Sequence, residues 1–129
     1  GLRSPEPSIA PLPYHGRPDE IVGMDSIHFY GLCPHHLVPY VGLVSVRIVP
    51  RERVGGAGAL ARAVRELALT PRLQESLTQQ IADTIERDLA PHGLWVRVVA
   101  RHFCMELKGS GPGARLVTEA RRGAPLPRG

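Results

Sequence analysis

A chain of 129 residues with a formal charge of +4 and only 5% aromatic residues has room for one domain, small enough to gain from assembly with copies of itself. No apolar run approaches the ~20 residues that span a bilayer, and no charged-then-apolar leader opens the sequence, so no membrane partner is expected and the cytoplasm is the expected location. The charge comes from scattered arginines and a single lysine, Lys108, without interleaved aromatic residues. That pattern argues against nucleic acid and suits a cleft that attracts a small anion.

Residues 1–20 form a proline-rich arm, in which Pro5, Pro7, Pro11, Pro13 and Pro18 block helix and remove strand donors. An extended, partly disordered segment is predicted there. Residues 124–129 read as a tail, leaving 21–123 as one domain. Ile27 to Leu32 and Tyr40 to Val49 are rich in β-branched and aromatic residues and predict two strands, the second closed by Pro50. Cys33, Pro34, His35 and His36 fall in the connection between them, where side chains are aimed without belonging to a ladder.

A helix is predicted from Gly58 to Leu69. A second is predicted to open with Thr70 as N-cap and Pro71 at its first position. Leu73, Leu77, Ile81, Ile85 and Leu89 recur every four residues, with Ala82 beside them, as one core-facing stripe. His92 and Gly93 end that helix, with glycine just past the last turn. From Leu94 to Leu107 a long strand places Leu94, Val96, Val98, Ala100, His102 and Cys104 on one face, opposite Trp95, Arg97, Val99, Arg101 and Phe103. A last strand from Arg115 to Ala120 completes an α+β domain.

Both cysteines and three of the six histidines lie in two clusters, Cys33-Pro34-His35-His36 and His102-Phe103-Cys104. Two thiolates and one imidazole suit zinc and leave a fourth position for water, the ligand count of a catalytic site. With Cys33, His36 and Cys104 on the metal, His35 and His102 remain as imidazoles able to move protons near neutral pH. A closed structural zinc, with His35 or His102 as fourth ligand, is the competing reading. A disulfide across 71 positions is disfavoured without a secretory signal.

Three segments carry a resemblance: Leu32-Cys33-Pro34-His35-His36-Leu37-Val38-Pro39, the run from Leu73 to Ala82, and His102-Phe103-Cys104-Met105. In this order and spacing, across residues 27–123, the chain resembles the GTP cyclohydrolase I family. The resemblance implies the tunnelling fold, an antiparallel four-stranded sheet with two helices on one face. It also implies assembly into a barrel-like ring, a pentamer or stacked decamer, with sites at subunit interfaces. Cys33, His36 and Cys104 match the zinc ligands, and His35 and His102 the catalytic histidines. Gln74 and Glu75 match the pair that recognises guanine, and Arg62 and Lys108 match phosphate contacts.

The implied activity is zinc-dependent opening of the guanine imidazole ring at C8, with release of formate and a dihydroneopterin-type product. The chain departs from the family pattern where Gly58 and Ala59 replace a serine and a lysine, Lys108 replaces an arginine, Pro112 a basic residue and Pro34 a glutamate. These departures leave two alternatives: a cyclohydrolase acting on a guanine compound with fewer phosphates or an altered sugar, or a non-catalytic zinc protein that binds a purine.

Overall fold

From residue 6 onward the proline-rich arm is tied down. In the computed structural model, which describes residues 6–34, 38–102 and 113–126, the elements in order are β1 (Pro11–Pro13), β2 (Val22–Leu32), β3 (Pro39–Val49), β4 (Arg53–Gly55), α1 (Ala57–Leu69), α2 (Gln74–Leu89), β5 (Gly93–His102) and β6 (Leu116–Gly123). β1 pairs antiparallel with β4, Leu12 opposite Val54. Proline is tolerated here because the two-stranded ribbon is edge on both sides and asks little of β1 beyond Leu12. Just before it, Ile9 is buried, and its backbone N–H donates to Asp88 Oδ2 at 2.7 Å.

The Arg87 guanidinium holds the same segment, donating to the Pro7 carbonyl at 2.9 Å. It also pairs with Asp88 and holds that carboxyl below the ordinary 3.8, with the Ile9 N–H helping. Because the folded value lies below the unfolded one, this contribution is complete above pH ~4 and is lost as the pH falls through the folded value. Asp88→Ala leaves a buried N–H without its acceptor, an expected cost of about 1–3 kcal/mol. The check is a urea unfolding curve, together with faster amide exchange at Ile9 in the variant and in the wild type at low pH. Unchanged exchange at both would show that the arm is held by packing alone.

The main sheet is antiparallel throughout, in the order β2-β3-β5-β6. β2 begins earlier than the apolar run suggests, because a bulge between Met24 and Ile27, with Ser26 at φ 58°, resets the alternation. On β5 the alternation is as expected: Leu94, Val96, Val98, Ala100 and His102 are buried, whereas Trp95, Arg97, Val99 and Arg101 are not. Cys104 and Phe103 lie outside the described residues. Both helices cover one face of the sheet, α1 against β2 and α2 against β5 and β6. The core between these layers holds Ile27, Phe29, Val44 and Val46 from the sheet, Val64 and Leu67 from α1, and Leu77, Ile81 and Ile85 from α2.

Two helix boundaries differ from expectation. Thr70 ends α1, and α2 starts only at Gln74, with Leu73 still extended. The backbone between them is bonded elsewhere: Arg72 N–H donates to the Leu32 carbonyl (3.2 Å) and the Tyr40 hydroxyl donates to the Arg72 carbonyl (3.3 Å). Leu73 is therefore 46% exposed and outside the stripe that buries Leu77, Ile81, Ile85 and Leu89. At the other end the left-handed residue is Ala90 (φ 44°), not Gly93. Gly93 instead opens β5, where a Cβ would come within 2.2 Å of the Ala124 carbonyl oxygen.

Candidate active site

β2, β3, β5 and the start of α2 meet at one end of the sheet. Tyr40, second residue of β3, lies opposite His102, the last residue of β5, and opposite Gly31 on β2. Its ring stacks on the His102 imidazole at 4.4 Å and 8°, and meets Phe29 edge-on at 5.8 Å. Gly31 makes room for it, since a Cβ there would lie 2.4 Å from the Tyr40 ring. Cys33 follows directly after β2. It is buried and free, with its backbone N–H donated to the Val38 carbonyl at 3.0 Å.

His102 is 8% exposed. Burial pushes its imidazole below the ordinary 6.5, with Glu75 pulling the other way. Its Nε2 lies 2.7 Å from Gln74 Oε1. Gln74, the first residue of α2, is itself 1% exposed. Its Nε2 donates toward the Val98 carbonyl (3.2 Å), the Leu116 carbonyl (3.0 Å) and Thr118 Oγ1 (3.1 Å). Glu75, one position on, is exposed and acts on both Tyr40 and His102. The carboxylate also stands in the first turn of α2, at the positive end of the helix dipole.

The structure thus brings together Cys33, Gln74, Glu75 and His102 from the expected set, and adds Tyr40. Tyr40 carried no signal beyond its place in a strand. Gln74 did carry one: with Thr78, Ile81 and Ile85 it falls at helical spacing on the buried face. Arg62 is exposed on α1, and among the described residues no hydrogen bond or ion pair joins it to Gln74, Glu75 or His102. His35, His36, Cys104 and Lys108 lie outside the described residues. With two expected ligands there, no cluster of three metal-binding side chains occurs among the described residues.

The profile of GTP cyclohydrolase I matches residues 5–126. The chain belongs to the GTP cyclohydrolase I family. Among curated relatives, the GTP cyclohydrolase 1 of Aquifex aeolicus is 43% identical over 106 residues, 81% of this chain and 58% of that protein. The GTP cyclohydrolase 1 of Geobacillus kaustophilus is 48% identical over 107 residues, 81% of this chain and 57% of that protein. The chain therefore spans less than three fifths of the length of these cyclohydrolases. A crystal structure of an archaeosine synthase QueF-like protein in the apo form superposes with a TM-score of 0.70 at 18% identity, covering 84% of this chain and 98% of that one. This shows that the cyclohydrolase family fold is shared, with two helices on one face of a four-stranded antiparallel sheet. No helix among the described residues is long and apolar enough to cross a membrane.

Proposed function

We propose that this chain opens the imidazole ring of a guanine nucleotide by hydrolysis at C8, releasing that carbon as formate and leading to a dihydroneopterin-type product. The observation that carries the reading is the pairing of a buried imidazole, His102, with an exposed carboxylate, Glu75, one residue beyond the glutamine that His102 contacts. Glu75 is suited to accept hydrogen bonds from the N–H and amino groups of guanine. His102, with His35, takes a proton from the attacking water and passes it to the ring nitrogen whose bond to C8 breaks. One water opens the ring and a second releases formate; closure of the dihydroneopterin-type ring returns one, so a single water is consumed net.

The donor set fits zinc. Cys33 offers a buried thiol outside any disulfide, and His36 and Cys104 complete two sulfurs and one nitrogen, the set that zinc prefers. When bound, zinc supplies an acidified water near neutral pH. The reading also includes a cytoplasmic homo-oligomer, a pentameric ring or decamer, with sites between subunits.

A second reading, a cyclohydrolase acting on a less phosphorylated compound, is favoured by the start of α1. A Cβ at Gly58 would meet nothing within 4 Å, so the family's serine is absent although space for it exists. The test is formate release by the zinc-loaded protein with GTP, GDP, GMP and guanosine in parallel. Preference for GTP supports the first reading and preference for a smaller compound the second, while zinc binding without formate from any of them leaves only a binding protein. Ala59→Lys is expected to tighten triphosphate over nucleoside by roughly tenfold, the value of one charge-assisted contact. An unchanged ratio would place the phosphates elsewhere.

A further inference from the structure

The hydrogen bonds around Gln74 have only one consistent direction. The carbonyls of Val98 and Leu116 accept and cannot donate, so the group facing them at 3.2 and 3.0 Å is the amide NH2. Flipping the amide would set its oxygen against two carbonyl oxygens. Thr78 Oγ1 donates to the Gln74 backbone carbonyl at 2.9 Å, which uses its single hydrogen. Across the 2.7 Å contact between the two threonines, Thr118 is then the donor and its oxygen is left to accept from Gln74. Gln74 Oε1 is thereby fixed as the atom 2.7 Å from His102 Nε2. An amide oxygen only accepts, so Nε2 carries a proton, and Nδ1 is the ring nitrogen left free of that bond to exchange one.

We propose that Gln74 is a positioning residue for His102, holding the ring as its Nε2–H tautomer and turning Nδ1 to the reacting centre, with Thr118 and Thr78 locking the glutamine. This rests on the cyclohydrolase reading only for what Nδ1 acts upon. It removes Gln74 from base recognition and leaves Glu75 as the side chain of the pair with acceptors to spare. A glutamine that read the base would show its amide to the site, whereas this one is spent on four partners inside the protein.

The test begins with the wild-type, zinc-loaded full chain, histidine labelled with 15N, at neutral pH. The His102 Nε2 is expected to be protonated, and an unprotonated Nε2 beside a protonated Nδ1 overturns the proposal whether or not the protein releases formate. Gln74→Leu and Thr118→Val then serve for kinetics, with Thr118→Ser as the variant that keeps the hydroxyl. Gln74→Leu is expected to mix the tautomers and lower kcat on the order of 10²-fold with KM little changed. Thr118→Val is expected to lower kcat several-fold and Thr118→Ser to restore it. A Gln74→Leu variant that raises KM at unchanged kcat would make Gln74 a base reader and end the proposal. Absence of formate from every substrate defeats the cyclohydrolase reading alone, since the tautomer is still read from the spectrum.

Discussion

Replacing Cys33 by alanine is expected to leave a folded protein that neither holds zinc nor releases formate. The local structure depends little on the sulfur. Cys33 stands just past β2, and the contact that fixes its turn, the 3.0 Å bond from its N–H to the Val38 carbonyl, belongs to the backbone and survives the change. The thiol, in contrast, is one of only two in the chain, and an imidazole with a single thiolate is a much poorer zinc site. Zinc affinity is expected to drop by roughly a hundredfold or more, and formate release with it. Circular dichroism, metal analysis after dialysis and formate assay on one preparation separate the possibilities. Native structure with zinc and turnover both lost is the expected triple. Full turnover in the metal-depleted variant would remove the thiol from the chemistry, and loss of native structure would recast Cys33 as a folding residue.

The strands of the main sheet and both helices were legible because buried faces repeat at the period of the element, as on β5 and along Leu77, Ile81 and Ile85, whereas the short β1 and β4 carried no such repeat. What the sequence hid follows from competition for backbone groups. Thr70-Pro71 has the composition of a helix start, but Arg72 is tied by its N–H to Leu32 and by its carbonyl to Tyr40, so the helix waits for Gln74. The arm has the composition of disorder, yet one buried isoleucine and one aspartate on α2 seat it. Local propensity is a weak prior beside such long-range bonds. In the site, residue types were enough to single out Cys33 and His102, because cysteine and histidine have few other uses in such clusters. For Gln74 the resemblance pointed to the base and the helical spacing to the buried face, but nothing local names the partners Val98, Leu116, Thr118 and His102 that enclose its amide.

Tyr40 joins the fold to the site, and its substitutions are expected to separate the two roles. The ring is 1% exposed, lies flat on His102 and meets Phe29 edge-on. Tyr40→Ala empties an aromatic volume from the core and is expected to cost about 3–5 kcal/mol in urea unfolding. Tyr40→Phe keeps the stack and loses only the bond from the hydroxyl to the Arg72 carbonyl, about 1 kcal/mol; its kcat is expected to stay near wild type. Tyr40→Leu retains much of the apolar burial but gives His102 no flat surface, so kcat should fall more than stability does. Gly31→Ala approaches the same ring from β2. Its Cβ would lie 2.4 Å from a ring already backed by His102, and the overpacking is expected to cost about 1–3 kcal/mol and to move the imidazole with the ring. Equal kcat in Tyr40→Leu and Tyr40→Phe would show that Gln74 alone holds His102, whereas a loss confined to Tyr40→Leu and Gly31→Ala shows that the imidazole is held from its face as well as from its edge.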